Sequence, residues 1–141
     1  MVVGPRGRLW AGGINGLARR EADGRWTLMR AATGHLPDNW VTALQPGPRG
    51  AVWAGTYDNG LARLGAGPPE LFVERGEAAR ALPCGWINFH AMARRGPTLW
   101  LGTMEGGLVR RDRHGRWSQR TTRDGLPSND VTAVAPVRRG E

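Results

Sequence analysis

The sequence predicts an all-β fold, a β-propeller of four-stranded antiparallel blades with three blades present and the ring incomplete. Three observations predict it. Leu9-Trp10-Ala11-Gly12 returns as Val52-Trp53-Ala54-Gly55 and again as Leu99-Trp100-Leu101-Gly102. Asn15-Gly16-Leu17-Ala18-Arg19 returns in step as Asn59-Gly60-Leu61-Ala62-Arg63 and as Gly106-Gly107-Leu108-Val109-Arg110. Leu36-Pro37, Leu82-Pro83 and Leu126-Pro127 close each cycle, and past each of them the chain turns apolar again. Landmarks kept in order at a period of roughly 40–50 residues mark one repeated supersecondary unit, and this density of Gly and β-formers marks a blade and not a helical repeat.

Each element of a blade has its own signal. Strand one is the apolar run after Leu-Pro, Val41-Thr42-Ala43-Leu44, Ile87-Asn88-Phe89 or Val131-Thr132-Ala133-Val134. A Gly/Pro turn, Pro46-Gly47-Pro48-Arg49-Gly50 or Arg95-Gly96-Pro97, leads into strand two with its Trp-x-Gly signature. Asn15-Gly16 and Asn59-Gly60 are expected to supply the positive φ values of a tight hairpin into strand three, Leu61 to Leu64 in the second repeat. Ala22-Asp23-Gly24 and Arg113-His114-Gly115 then turn the chain into strand four, which carries Trp26, Phe72 or Trp117. The repeats run over 1–39, 40–85 and 86–129, with 130–141 starting a fourth blade. Met1-Val2-Val3 reads as the end of a first strand, so the chain is expected to enter mid-blade.

Composition agrees and excludes several function classes. The 141 residues include 22 Gly and 10 Pro, yet 40% are hydrophobic, enough to bury a core. The net charge of +8 is carried by Arg alone, and the Arg pairs are scattered over short strands and loops, so no nucleic-acid partner is expected. Cys84 is the single cysteine, which rules out an intrachain disulfide. His35, His90 and His114 have no ligand-spaced partner, and no nucleophile elbow, phosphate loop or paired catalytic acids stand anywhere, so no metal, cofactor or catalytic set is expected. No apolar run is long enough to cross a bilayer, and no signal peptide is read at the start.

The residues resemble the two-component regulator propeller repeat. The third repeat carries the resemblance most fully, in Leu99-Trp100-Leu101-Gly102-Thr103, Gly106-Gly107-Leu108 and Asp124-Gly125-Leu126-Pro127-Ser128-Asn129-Asp130-Val131-Thr132. The first repeat departs with Gly13 where Thr is usual, and the second with Ala81-Leu82-Pro83-Cys84-Gly85. The resemblance implies a sensory propeller of a bacterial signalling protein, periplasmic or at the cell surface, with a carbohydrate fragment as ligand.

Antiparallel neighbours bring the loop before strand one and the hairpin between strands two and three to one end of a blade. That rim is expected to hold a ligand site made of Asp38, Asn39, Trp40, Tyr57, Asp58, Trp86, Asn129 and Asp130, a mixture of aromatics, amides and carboxylates suited to an oligosaccharide. Trp40 and Trp86 occupy a position that is Asp130 in the third repeat, so they are expected to be more exposed than Trp10, Trp53 and Trp100. A scaffold for protein partners would use the same rim, and a propeller lyase or hydrolase is the remaining alternative. Partners of another kind are the blades needed to complete the ring, from a longer chain or from a second protomer.

Overall fold

A computed structural model describes residues 2–3, 7–65, 67–75 and 81–138. They form three four-stranded antiparallel sheets in plain up-and-down order. Blade one comprises β1 (Val2–Val3), β2 (Leu9–Gly13), β3 (Gly16–Arg20) and β4 (Trp26–Met29). Blade two comprises β5 (Val41–Pro46), β6 (Val52–Thr56), β7 (Leu61–Leu64) and β8 (Glu70–Phe72). Blade three comprises β9 (Ile87–Arg95), β10 (Thr98–Thr103), β11 (Leu108–Arg111) and β12 (Trp117–Arg120). The helical turns among the described residues are three-residue pieces, such as Pro48–Gly50 and Thr122–Asp124. The Gly4-Pro5-Arg6 stretch before β2 and residues 139–141 lie outside the described residues.

The core lies between the sheets. One cluster joins Trp10, Leu17, Met29 and Leu36 of blade one to Val41, Val52, Ala54, Ala62 and Leu64 of blade two. The other joins Ala43, Trp53, Leu61 and Phe72 of blade two to Ile87, Met92, Leu99, Leu101 and Val109 of blade three. Period-2 alternation makes this possible: Val52 and Ala54 of β6 face blade one while Trp53 between them faces blade three. Trp10 and Trp53 are 2% and 3% exposed, as expected of interblade packing, whereas Trp100 on the outer face of blade three is only half-buried.

The glycine of the Trp-x-Gly signature has a packing cause. A Cβ on Gly12 would come within 2.5 Å of Val41 Cγ1, and one on Gly55 within 2.7 Å of Ile87 Cγ2. The first residue of each strand one thus lodges in a hole cut in the preceding blade.

Three expectations need correction. Among the described residues, only Gly16 and Gly60 of the two Asn-Gly pairs have positive φ, 119° and 109°. Ile14-Asn15 forms the two-residue loop and Gly16 already pairs with Gly13, so the glycine is needed not at a turn centre but beside the Met29 carbonyl, 2.6 Å from where its Cβ would stand. Strand one of blade three is longer than expected and bulged: Met92 pairs with Leu101 and Ile87 with Thr103, which loops out Phe89 and puts His90 at φ 58°. Residues 131–138, expected to begin with a strand, form none, because no described strand lies beside them to pair with.

Blade three's leading loop seats Cys84 against blade three's own hairpin. The buried thiol donates to the Met104 carbonyl over 3.6 Å, and a side chain at Gly106 would run into it.

Candidate ligand-binding rim

Backbone bonds draw the rim together. Tyr57 N donates to the Trp40 carbonyl and Met104 N to that of Trp86, both over 2.9 Å, while Gly60 N reaches Gly85 O and Gly107 N reaches Asn129 O. Each loop that leads into a strand one is therefore pinned to a hairpin, which brings Trp40 beside Tyr57, Trp86 beside Met104 and Asn129 beside Gly107.

Their roles separate once hydrogen bonds are traced. Asn39 Oδ1 accepts from Ala31 N and Asn129 Oδ1 from Thr122 N, each over 2.8 Å, so both amides fasten their loop to the stretch after strand four. In blade two the same fastening runs in reverse: Gly85, at the position of those asparagines, donates its N–H to Glu74 Oε1 over 2.7 Å. Asp130 accepts from Asn88 Nδ2 over 2.8 Å, and Asn88 also donates to the Val131 carbonyl. Asp38 is partly buried.

The aromatics fall into two groups. Trp40 stacks on Tyr57 with centroids 4.5 Å apart and planes at 15°, and Phe89 meets it edge-on at 5.8 Å. The exposed bulge residue Phe89 was not foreseen, since nothing in an apolar strand marks the residue that will be looped out. Trp86 stands apart, its indole N–H donated to Asp58 Oδ1 over 2.5 Å. It borders a pocket of about 340 Å³ lined by Asp58, Asn59, Val73, Glu74, Arg75 and Trp86. Trp40 and Trp86 are 37% and 42% exposed, well above Trp10 and Trp53. Glu74 and Arg75 sit between landmarks and carry no motif, so sequence offered no signal for them.

Electrostatic perturbation is concentrated elsewhere. The carboxyls of Glu21, Asp23 and Asp112, at the turns between strands three and four, are held below their ordinary values, chiefly by hydrogen bonds from Arg19, Arg25 and the Arg116 backbone respectively. Burial lowers the Arg111 pKa, where its guanidinium lies over Trp53, Phe72 and Trp117 at 5.4, 5.7 and 5.9 Å. Among the described residues, no three His, Cys, Asp or Glu side chains converge as a metal would require.

No curated protein matches the sequence. Residues 35–58, which run from the end of blade one through β5 and β6 to Asp58, match the two component regulator propeller family. The fold is similar to that of the extracellular domain of a hybrid two component system, BT4673 of B. thetaiotaomicron, with a TM-score of 0.73 at 17% identity over 96% of this chain and 20% of that one. It is also similar to the extracellular domain of a one component system, BT4673 of the same bacterium, with a TM-score of 0.62 at 23% identity over 79% of this chain and 15% of the other. This chain thus spans a fifth or less of each of these two solved structures. No helix among the described residues is long and apolar enough to cross a membrane. The repeat matched in sequence and the fold matched over nearly the whole length agree: the chain is a three-bladed stretch of β-propeller in which residues 35–58 match the two component regulator propeller repeat.

Proposed function

We propose that these blades belong to the ligand-sensing propeller of a bacterial signalling protein, periplasmic or at the cell surface, and that the rim pocket at Trp86 takes a carbohydrate-like ligand by binding without catalysis. The observation that carries this reading is the Trp86 ring itself, exposed yet held in place by its bond to Asp58. A fixed, half-exposed indole ringed by Asn59, Glu74 and Arg75 offers a stacking face for the C–H side of a sugar and donors and acceptors for its hydroxyls. Trp40 is the weaker platform, because Tyr57 already covers one of its faces. The extracellular placement of the domains it resembles supports the compartment.

Titration of tryptophan fluorescence with a panel of oligosaccharides tests the reading. Trp86→Ala should weaken binding by roughly tenfold or more and leave the unfolding midpoint nearly unchanged, while Trp40→Ala should weaken it less. A panel in which no glycan binds, or a Trp86→Ala variant that binds as the parent does, would reject it.

A further inference from the structure

The arginines that lie scattered along the sequence are not scattered in the fold. Because neighbouring strands are antiparallel, the turn from strand one to strand two and the turn from strand three to strand four meet at the end of each blade opposite the rim. Arg49 and Arg95 stand on the first kind of turn, within Pro48–Gly50 and at the end of β9. Arg25, Arg113 and Arg116 stand on the second kind, just before β4 and β12. All five are exposed.

The carboxylates of this end are already engaged. Glu21 accepts from Arg19 and Asp23 from Arg25, both over 2.6 Å, and Glu70 lies 3.9 Å from Arg63. Asp112 takes the backbone N–H groups of His114 and Arg116 over 2.8 and 2.9 Å. Among the described residues, Arg49, Arg95, Arg113 and Arg116 form no ion pair. At the rim the balance is reversed, with Asp38, Asp58, Glu74, Glu105, Asp124 and Asp130 set against Arg30, Arg75, Arg120 and Arg123. The positive charge of the described residues therefore gathers at one end.

Arg49 adds a second sign. It holds φ 55° and ψ 34°, the left-handed region in which a side chain other than Asn or Asp is uncommon. An arginine kept on a solvent-facing tip that glycine would occupy without strain points to a use for its charge. The same turn of the first repeat reads Gly4-Pro5-Arg6-Gly7, so the sequence makes the choice twice. The charges are also spread across the face. β5 and β9 are edge strands that lie against each other, which puts Arg49 and Arg95 toward its middle and leaves Arg113 and Arg116 toward its periphery. Cations at both radii suit a plane of anionic headgroups, whereas an extended peptide would meet only one row of them.

We propose that the end opposite the rim docks on an anionic phospholipid surface, its arginines paired with headgroup phosphates, so that the rim faces away from the membrane. A guanidinium meets a phosphate through two parallel N–H···O bonds. Each one near the surface strengthens binding roughly fivefold, and the attraction fades as salt shortens the Debye length.

Co-sedimentation of the 141-residue chain with vesicles of phosphatidylglycerol and phosphatidylcholine in roughly equal parts, and with pure phosphatidylcholine, tests this independently of any glycan. Salt-sensitive binding to the first vesicles alone is expected. Arg49→Glu combined with Arg113→Glu should weaken it roughly tenfold or more. Arg30→Glu combined with Arg123→Glu changes the net charge equally but at the rim, and should weaken it less than about threefold. Thermal unfolding midpoints near that of the parent show that both variants fold. Absence of any excess binding to the phosphatidylglycerol vesicles would overturn the proposal, as would an equal loss in the two double variants, which would reveal an effect of net charge alone. Full displacement of the chain from the vesicles by polyglutamate of matching total charge would overturn it too, and would assign this face to an acidic polypeptide.

Discussion

Gly55 shows how a single absent side chain can position a neighbouring sheet. Ile87 and Met92 already occupy the space a Cβ would need, at 2.7 Å from Ile87 Cγ2 and 3.1 Å from Met92 Cε, so Gly55→Ala forces one blade away from the next. Overpacking of this kind should cost about 1–3 kcal/mol, measured as a fall in the urea midpoint with little change in slope. A loss within a few tenths of a kcal/mol would mean that the interface yields. The Trp of the same signature was readable as a packing residue because a large ring in an apolar strand has few other uses. Its Gly was readable only as a repeated letter, since the hole it makes belongs to a blade some thirty residues on. Asn39 and Asn129 were ambiguous for a different reason. An amide on a loop suits a ligand and a loop anchor alike, and only the bonds to Ala31 and Thr122 show the second use. Gly85 reads as the loss of that amide, yet Glu74 restores the bond from the opposite partner. Compensation of this sort joins residues too far apart in sequence for a motif to link them.

Strands and turns were the most legible level. Alternation and Gly/Pro punctuation are local properties, so each four-strand unit could be traced without knowing what packs on it. The Phe89-His90 bulge was not legible, because an inserted pair of apolar and aromatic residues looks like more strand. Nor was the unpaired state of residues 131–138, which depends on what lies alongside and not on their own composition. The turn between β3 and β4 allows a test at this scale. Glu21 accepts from Arg19 Nε over 2.6 Å and from Thr27 Oγ1 over 2.9 Å, and these bonds hold its pKa below the ordinary value of 4.5. A depressed carboxyl stabilises the fold above its unfolded-state pKa, and that contribution disappears as pH falls through the folded value. Glu21→Gln should therefore be slightly less stable at neutral pH and show a shallower loss of stability below about pH 4.5. Parallel pH curves for the two proteins would show that the turn does not depend on the charge.

At the scale of the molecule, two interblade cores meet only through the sheet of blade two. Trp10 lies in one and Trp53 in the other. Each Trp→Ala change should cost about 3–5 kcal/mol, and the pair should add to within about 0.5 kcal/mol, because repeat stabilities sum over nearest-neighbour interfaces. To keep the double variant folded, the cycle is best run in a stabilising osmolyte. A coupling well above that figure would mean that blade two transmits strain from one face to the other. The seat of Cys84 supplies a reporter for the second of these interfaces. The chain's single thiol is covered by the hairpin of blade three, so an alkylating reagent can reach it only when that loop lifts. Its rate of modification under native conditions, compared with that of the unfolded chain, therefore reads out the free energy of opening one blade contact while the rest of the protein stays folded.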